Sequence, residues 1–293
     1  MVGDISNKRS NEAVEEDVQR LKDWLDKQPH LPHDVEHEIL TAFVNGTKSL
    51  EIAKRKLDAY FSNRNRYVKL YDEISRDVNA QFRERSRSTN QFFLTNTTPE
   101  GYAVFFITLN DCFEKAFDHP HEATRMLMLL EAKMRKWPEN KGAYLVIDCT
   151  GAPASLITMF SPTTLAACLG CYQEGFPIKM KGTLNFNAPP FIEFVVNNLF
   201  KPVMKTKLYE RTKVTSEGAS FLKQFMPLEM LPSNYGGNDK SVAELNDEWL
   251  NILEENREWF LRSTRQASDE KKRPPDSENT YGIEGTFRKL AVD

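Results

Sequence analysis

Two lysines that alternate with apolar residues form the most chemically distinctive pattern in this chain. They are Lys179 and Lys181, within the stretch "GFPIKMKGTLNFNAPP" that covers residues 175–190. Such alternation predicts a half-buried strand, with both ammonium groups on one face and Ile178 and Met180 on the other. The lysine face could meet an anionic surface, while the apolar face could line a pocket. The same alternation predicts that Thr183 and Asn185 share the face of the lysines, and that Leu184 and Phe186 share the face of Ile178 and Met180.

The segment that begins with these lysines is strongly basic. Residues 179–213 contain seven lysines and arginines against two glutamates, a local net charge of +5 in a chain whose net charge is −3. A positive region on an otherwise acidic molecule orients it toward an anionic membrane, where each cation contributes about 1 kcal/mol. Attachment of that strength is reversible and sensitive to salt. The alternative is a solvated face without a binding role.

A very apolar helix is predicted between these cations, in "PPFIEFVVNNLFKPVM", residues 189–204. Two prolines favour its start. Glu193, Asn197 and Lys201 recur every four residues and form one narrow polar strip, so the rest of its surface is apolar. Such a helix should be buried or face lipid. It could be a movable cover over a pocket or an ordinary core helix.

The residues that could support catalysis form no complete set. Cys168 and Cys171 are a single CxxC pair in the later part of a predicted helix, whereas a redox pair needs the helix N-terminus to lower a thiol pKa. The sequence has no nucleotide-binding or hydrolase motif. It therefore predicts no enzyme, no cofactor and no metal. Two pairs of histidines occur, and neither completes a metal site. His33 and His37 are predicted on the surface, and His119 and His121 are predicted in a loop.

The bulk properties are those of a folded, water-soluble protein. The chain has 293 residues, of which 40% are hydrophobic and 11% aromatic. The N-terminus has no apolar region typical of a secretory signal, and no apolar run reaches the ~18 residues that span a membrane. Four cysteines in such a chain are expected to be reduced thiols. These features predict a cytoplasmic protein, and the small net charge argues against nucleic acid as a partner.

The first 80 residues predict a small bundle of helices. Amphipathic spacing predicts a helix over residues 12–28. Asp34 and Ser49 are expected to cap two further helices, the first of which ends at Gly46. A fourth helical segment is expected over residues 67–78.

Strands and helices alternate from about residue 80, which predicts an α/β domain with a mixed, largely parallel sheet. Strands are expected over residues 102–109 and 143–149, the second buried on both faces. Helices are expected over residues 121–137 and 161–175, with Ser161 as the cap of the latter.

The last part of the chain follows the turn-rich stretch "LPSNYGG". A helix is expected over residues 242–261. The polar tail after it is expected to be flexible, or docked only by a few aromatic residues.

Four stretches in this order resemble the CRAL-TRIO lipid-binding family, in its alpha-tocopherol transfer protein and retinaldehyde-binding protein branch. They are "WLDKQPHLP", "VIDCTG", "FPIKMKGTLNFNAPPFIEFVVNNLFKPVM" and "LPSNYGG", and the resemblance covers about residues 15–240. It implies a helical N-terminal lobe over residues 10–78 and a lipid-binding domain over residues 85–238. A C-terminal helix and tail, residues 239–293, would follow.

The resemblance also implies a gate helix over a lipophilic pocket, at about residues 190–211, and a set of phosphoinositide-binding cations. By motif position the cations are Lys179, Lys181, Lys207 and Arg211. Asn45 stands where the family often has arginine, which gives no ground for a basic contribution from the helical lobe. Resemblance and strand parity together predict the pocket residues, which are Phe105, Ile107, Leu145, Ile147, Cys168, Cys171, Tyr172, Ile178, Met180, Phe191 and Val195.

Three functions remain open from the sequence. The favoured one is a monomeric, non-enzymatic carrier, peripheral and reversible on membranes, that holds one lipophilic molecule and exchanges it at phosphoinositide-containing membranes. Tocopherols, retinoids, carotenoids and phospholipid-like molecules are all compatible ligands. The second is a membrane-docking signalling module of the same fold without a transported ligand. The third is a thiol-dependent enzyme that uses Cys168 and Cys171.

Overall fold

The computed structural model describes residues 10–139 and 141–275 of the chain. Its N-terminal lobe is helical, as predicted. Ser49 caps its third helix, because the Ser49 Oγ accepts a hydrogen bond from the Ile52 amide at 3.3 Å. The helices of this lobe are α1 (Asn11–Leu25), α2 (His37–Gly46), α3 (Leu50–Arg66), α4 (Glu73–Arg76) and α5 (Ala80–Arg85).

Two boundaries in this lobe differ from the prediction. The N-cap of α2 is Glu36 rather than Asp34, since residues just before it take an irregular path held by tertiary contacts. Gln266 Nε2 donates to the Asp34 carbonyl at 2.5 Å. The helix expected over residues 67–78 is a 3-10 turn at Val68–Leu70 followed by the short α4.

A five-stranded mixed sheet forms the second lobe, which confirms the predicted α/β class. Its spatial order follows the chain, with the first two strands antiparallel and each later pair of neighbours parallel. Two short strands of this sheet were not predicted. The strands are β1 (Thr89–Phe93), β2 (Ala103–Leu109), β3 (Ala143–Asp148), β4 (Met180–Phe186) and β5 (Thr212–Val214).

The helices that connect the strands include one long element that starts earlier than predicted. His119 and His121 lie in its first turn rather than in a loop, and both are buried. Burial lowers the pKa of His119 to about 4 and that of His121 to about 3. The connecting helices are α6 (Phe113–Ala116), α7 (His119–Lys136), α8 (Leu156–Met159), α9 (Pro162–Gly170), α10 (Phe191–Val195) and α11 (Thr206–Tyr209).

One face of the sheet carries the deepest part of the core. Phe106, Val146 and Leu184 are aligned across three strands and are 0% exposed. Residues 219–235 cover this face, with the Tyr235 ring 5.4 Å from that of Phe106. The other face lies toward α7, since Gln91 of β1 donates to the Glu122 carbonyl at 3.3 Å.

The C-terminal part packs back on the rest of the molecule through polar contacts. The helix expected over residues 242–261 is divided at Asn256 into α12 (Val242–Glu255) and α13 (Arg257–Ser263). Beyond it, the Asp269 amide donates to the His30 carbonyl at 2.7 Å, and Arg273 pairs with Asp58 at 2.9 Å. Residues 265–275 are therefore held by polar contacts, and the aromatic residues of the tail, on which the expected docking depends, lie outside the described residues.

Candidate functional site

The sheet face toward α7 is incompletely covered. Ile107, Leu145 and Ile147 remain half-buried on this face, although β2 and β3 are inner strands. Their neighbour Val146, on the other face of β3, is 0% exposed. The prediction that β3 is buried on both faces is therefore wrong. We call the space over Ile107, Leu145 and Ile147 the cleft.

A bulge in β4 changes which of its residues face the cleft. Met180 lies opposite Ala143 and Gly182 opposite Tyr144, which leaves Lys181 as an extra residue. Beyond such a bulge, side chains exchange faces relative to unbroken alternation. The predicted faces of the later β4 residues are therefore wrong: Thr183 and Asn185 share the face of Met180, and Leu184 and Phe186 share the fully buried face.

The end of α9 and the residues after it supply further side chains predicted for the pocket. Cys168, Cys171, Tyr172 and Ile178 are each at most 7% exposed and lie in one apolar cluster with Phe105. Burial raises the pKa of the Cys171 thiol to about 12 and raises that of Cys168 as well. The Tyr172 hydroxyl, which could have met the polar end of a ligand, donates to the Ile178 carbonyl at 3.3 Å.

The predicted gate is one helical segment followed by a break. α10 continues through a π-helical turn at Val196–Phe200 and a 3-10 turn at Lys201–Val203, and α11 begins only at Thr206. We call residues 191–203 the gate segment. A π-helical turn within a helix is frequent at functional sites, because its extra residue interrupts the regular ladder of hydrogen bonds.

The gate segment has one buried side and one exposed side. Val195 is 2% exposed, and the half-buried Phe191 packs in a second apolar cluster that also contains Ile147 of the cleft. Phe194 is 52% exposed. One side of this apolar helix is therefore buried, and the other side presents a phenylalanine ring that stays a candidate for contact with lipid.

Gln173 connects the two sides of the break after the gate segment. Its Nε2 donates to the Val203 carbonyl at 3.1 Å, and its Oε1 accepts from the Lys205 amide at 2.7 Å. Lys56 of the helical lobe donates to the Gln173 carbonyl at 3.1 Å. Burial is the main cause that lowers the pKa of Lys56 to about 8, with repulsion from Lys205 second.

Three of the four predicted cations lie close together at the start of β4. Lys179 is exposed, and its pKa is lowered by repulsion from Lys181 first, then by burial, Lys48 and Arg211. Arg211 donates Nη1 to the Met180 carbonyl at 3.0 Å. The fourth, Lys207, is exposed on α11, four residues before Arg211 along the chain. We call Lys179, Lys181, Lys207 and Arg211 the basic cluster.

Two neighbours of the basic cluster were missed. Lys181 Nζ donates to the Tyr102 hydroxyl at 2.7 Å and lies 3.9 Å from the centre of its ring. Lys48 approaches because Gly46 packs so tightly that a Cβ there would lie 1.8 Å from the Pro177 carbonyl oxygen. The helical lobe therefore contributes a cation, Lys48, three residues after Asn45. Only the close contact of Gly46 with Pro177 could have indicated that Lys48 lies near the basic cluster.

Comparisons with known proteins agree with this architecture. The CRAL/TRIO domain family matches residues 87–237, and the family described as Pinta-like, UBA domain matches residues 10–81. The chain belongs to the CRAL/TRIO family, which confirms the resemblance seen in its sequence.

Individual relatives are more distant. A mouse protein named alpha-tocopherol transfer protein-like is 24% identical over 84% of this chain and 71% of its own length. A human protein of the same name is 23% identical over 75% of this chain and 64% of its own length. The crystal structure of Sfh5 aligns with a TM-score of 0.48 at 15% identity, over 85% of this chain and 98% of that one.

Among residues 10–139 and 141–275, no helix is both long enough and apolar enough to cross a membrane. In the same part of the chain, no group of three or more histidine, cysteine, aspartate or glutamate residues could hold a metal ion.

Proposed function

We propose that this protein carries one small lipophilic molecule in the cleft and exchanges it at phosphoinositide-containing membranes. The observation that carries the proposal is the half-buried state of Ile107, Leu145 and Ile147 on inner strands. Apolar side chains at the centre of a sheet are normally covered, and an apolar ligand would complete their burial. The names of the alpha-tocopherol transfer protein-like relatives support a tocopherol as the first ligand to test.

Burial of apolar surface would supply most of the affinity. Each Å² removed from water contributes about 25 cal/mol, so a ligand that covers a few hundred Å² needs few hydrogen bonds. The cleft fits such a ligand because two of its polar neighbours already have hydrogen-bond partners. Tyr172 donates to a backbone carbonyl, and Asn185 Nδ2 donates to the Lys213 carbonyl at 2.9 Å.

The basic cluster would bind the phosphates of a lipid headgroup. Mutual repulsion lowers the pKa of Lys179, and a phosphate placed among these cations would relieve that repulsion. Arg211 follows α11, which in turn follows the gate segment. A headgroup that binds the cluster differently in the open and closed states would therefore shift the equilibrium of the gate.

A double substitution tests the division of roles. Lys179→Ala with Lys181→Ala should weaken binding to phosphoinositide vesicles at least tenfold, because each cation near an anionic surface contributes about 1 kcal/mol. Loading of a fluorescent tocopherol analogue in solution should change little. The matched control is Lys223→Ala with Lys271→Ala, which removes two exposed lysines outside the cluster. Equal loss of loading and vesicle binding would contradict separate roles.

A membrane-docking module without a transported ligand is the second candidate, and the exposed Phe194 beside a basic segment favours it. Mass spectrometry of lipids extracted from the purified protein distinguishes the two functions. A carrier should yield a stoichiometric lipophilic molecule, whereas a docking module should bind vesicles and yield none. The thiol enzyme is disfavoured because burial raises the pKa of both Cys168 and Cys171.

A further inference from the structure

A partly exposed tryptophan ends α7 on the same side of the molecule as the basic cluster. Trp137 is 40% exposed, although its ring lies 5.6 Å from that of the buried Trp249. The ammonium groups of Lys133 and Lys136 lie 4.6 and 4.8 Å from the centre of the Trp137 ring. Cation–π contacts of this kind hold the indole in place at the surface.

Lys133 has no counter-charge in the described part of the chain. It makes no ion pair or hydrogen bond there, and its ammonium lies 4.6 Å from the centre of the Trp137 ring and 6.0 Å from that of Phe93. Burial alone lowers its pKa to about 8. An external anionic group would therefore stabilise the charged form of this side chain.

The surface around Trp137 continues into the basic cluster. Trp137 and Ile178 line the same small cavity of about 30 Å³, together with Gly142. A Cβ on Gly142 would lie 2.7 Å from the Lys179 carbonyl oxygen and 3.1 Å from Lys181 Cε. Gly142 therefore borders the cavity beside the indole and also packs against both strand lysines.

We propose that Trp137, with Lys133 and Lys136, is an interfacial anchor that enters the headgroup region of an anionic bilayer when the basic cluster binds. The anchor rests on the proposed function, because it shares the membrane with the cluster. Tryptophan prefers the membrane–water interface, where its ring is apolar and its N–H stays hydrated. Lysines beside it can keep their stems near the apolar layer while their charges meet lipid phosphates.

The charge around the anchor favours a bilayer over an acidic protein partner. Lys133, Lys136 and Lys141 surround the indole, and Glu139 is the acidic residue that lines the same cavity. Glu100 is a second acidic residue of this region and lies near Lys181. The net positive charge is spread over two neighbouring groups, which suits an extended anionic plane.

Depth-dependent fluorescence quenching tests the anchor. The full chain is mixed with vesicles of phosphatidylcholine and phosphatidylinositol bisphosphate, in which the phosphatidylcholine carries bromine near the headgroup or deep in the chains. Shallow bromine should quench a clear share of the tryptophan emission, and Trp137→Phe should remove most of that quenching. Trp24→Phe, which alters the other tryptophan that is not fully buried, should leave the quenching in place. Trp137→Ala should weaken vesicle binding about tenfold, with thermal unfolding measured to verify folding.

The outcomes separate the anchor from the function on which it rests. If the wild-type protein binds these vesicles but Trp137→Phe leaves quenching unchanged, the anchor is wrong and the carrier proposal stands. If the wild-type protein binds no anionic vesicle, both are wrong. Retained vesicle affinity in a folded Trp137→Ala variant would also overturn the anchor, and a protein partner would then be the better occupant of this surface.

Discussion

Gln173 should control how readily the gate segment opens, because its side chain bonds to both sides of the break. Gln173→Ala removes the contacts with the Val203 carbonyl at 3.1 Å and the Lys205 amide at 2.7 Å. A hydrogen bond contributes about 0.5–1.5 kcal/mol net, and Gln173 is only half-buried. We therefore expect a loss of about 1–2 kcal/mol from the closed state, which is roughly a five- to thirtyfold increase in the open population.

Hydrogen exchange measures this change without knowledge of the ligand. Amides of residues 196–209 should exchange roughly five- to thirtyfold faster in Gln173→Ala, while amides of the inner strand β3 keep their wild-type rates. Release of a bound fluorescent lipid to acceptor vesicles should accelerate by a similar factor. Gln224→Ala is the control, because that exposed glutamine lies in the stretch covering the other face of the sheet.

Unchanged exchange over residues 196–209 would refute the reasoning, since it would mean that Gln173 does not hold the closed gate. Faster exchange throughout the protein would also refute it, because the variant would then weaken the whole fold rather than the gate.

Three further predictions concern stability and reactivity. Glu131→Gln should destabilise the fold by about 3–5 kcal/mol in urea unfolding, because it leaves the buried Arg64 and Arg76 without their shared carboxylate. Glu229→Gln, at an exposed position, should change the free energy of unfolding little. Lys133→Met should stabilise the protein by about 1–3 kcal/mol at pH 7. The difference in stability between the variant and the wild type should shrink between pH 8 and pH 10.5. In that window the stability of the wild type rises with pH, because the pKa of Lys133 is lower in the folded state than in the unfolded state. A stability difference that stays constant over this window would contradict the prediction. Cys168 and Cys171 should resist alkylation at pH 8 until the protein unfolds, because burial raises the pKa of both thiols. Rapid labelling of the native state would contradict this prediction, since it would show that the thiols are accessible and ionised.

The capping residues and the long periodic elements could be predicted from the sequence because their signals are local. Ser49 and Ser161 accept the hydrogen bonds from backbone amides that are expected of N-caps. β1, with the sequence "TNQFF", was missed because it is short and its first three residues are polar. It is a strand because it pairs with β2, the next strand along the chain, and packs against α12, which is distant in sequence.

The cleft face of β4 could not be predicted correctly from alternation. A bulge between two parallel strands depends on how β3 and β4 align. The sequence of neither strand alone contains the alignment of the pair. Lys48 was missed for a similar reason, since only the contact between Gly46 and Pro177 brings its loop to the basic cluster. The positions of Lys179, Lys181 and Arg211 were nearer to the prediction because they lie at the starts of neighbouring parallel strands, and these starts share one edge of the sheet.

Native mass spectrometry of a variant with a filled cleft tests the central claim most directly. Ile147→Trp adds a ring over the half-buried centre of the sheet, next to Phe191 of the gate segment. We predict that the wild-type protein carries one lipophilic molecule, and that the folded Ile147→Trp variant carries none while binding phosphoinositide vesicles normally. A wild-type protein without a bound molecule after exposure to lipids, or a folded variant that retains one, would contradict it.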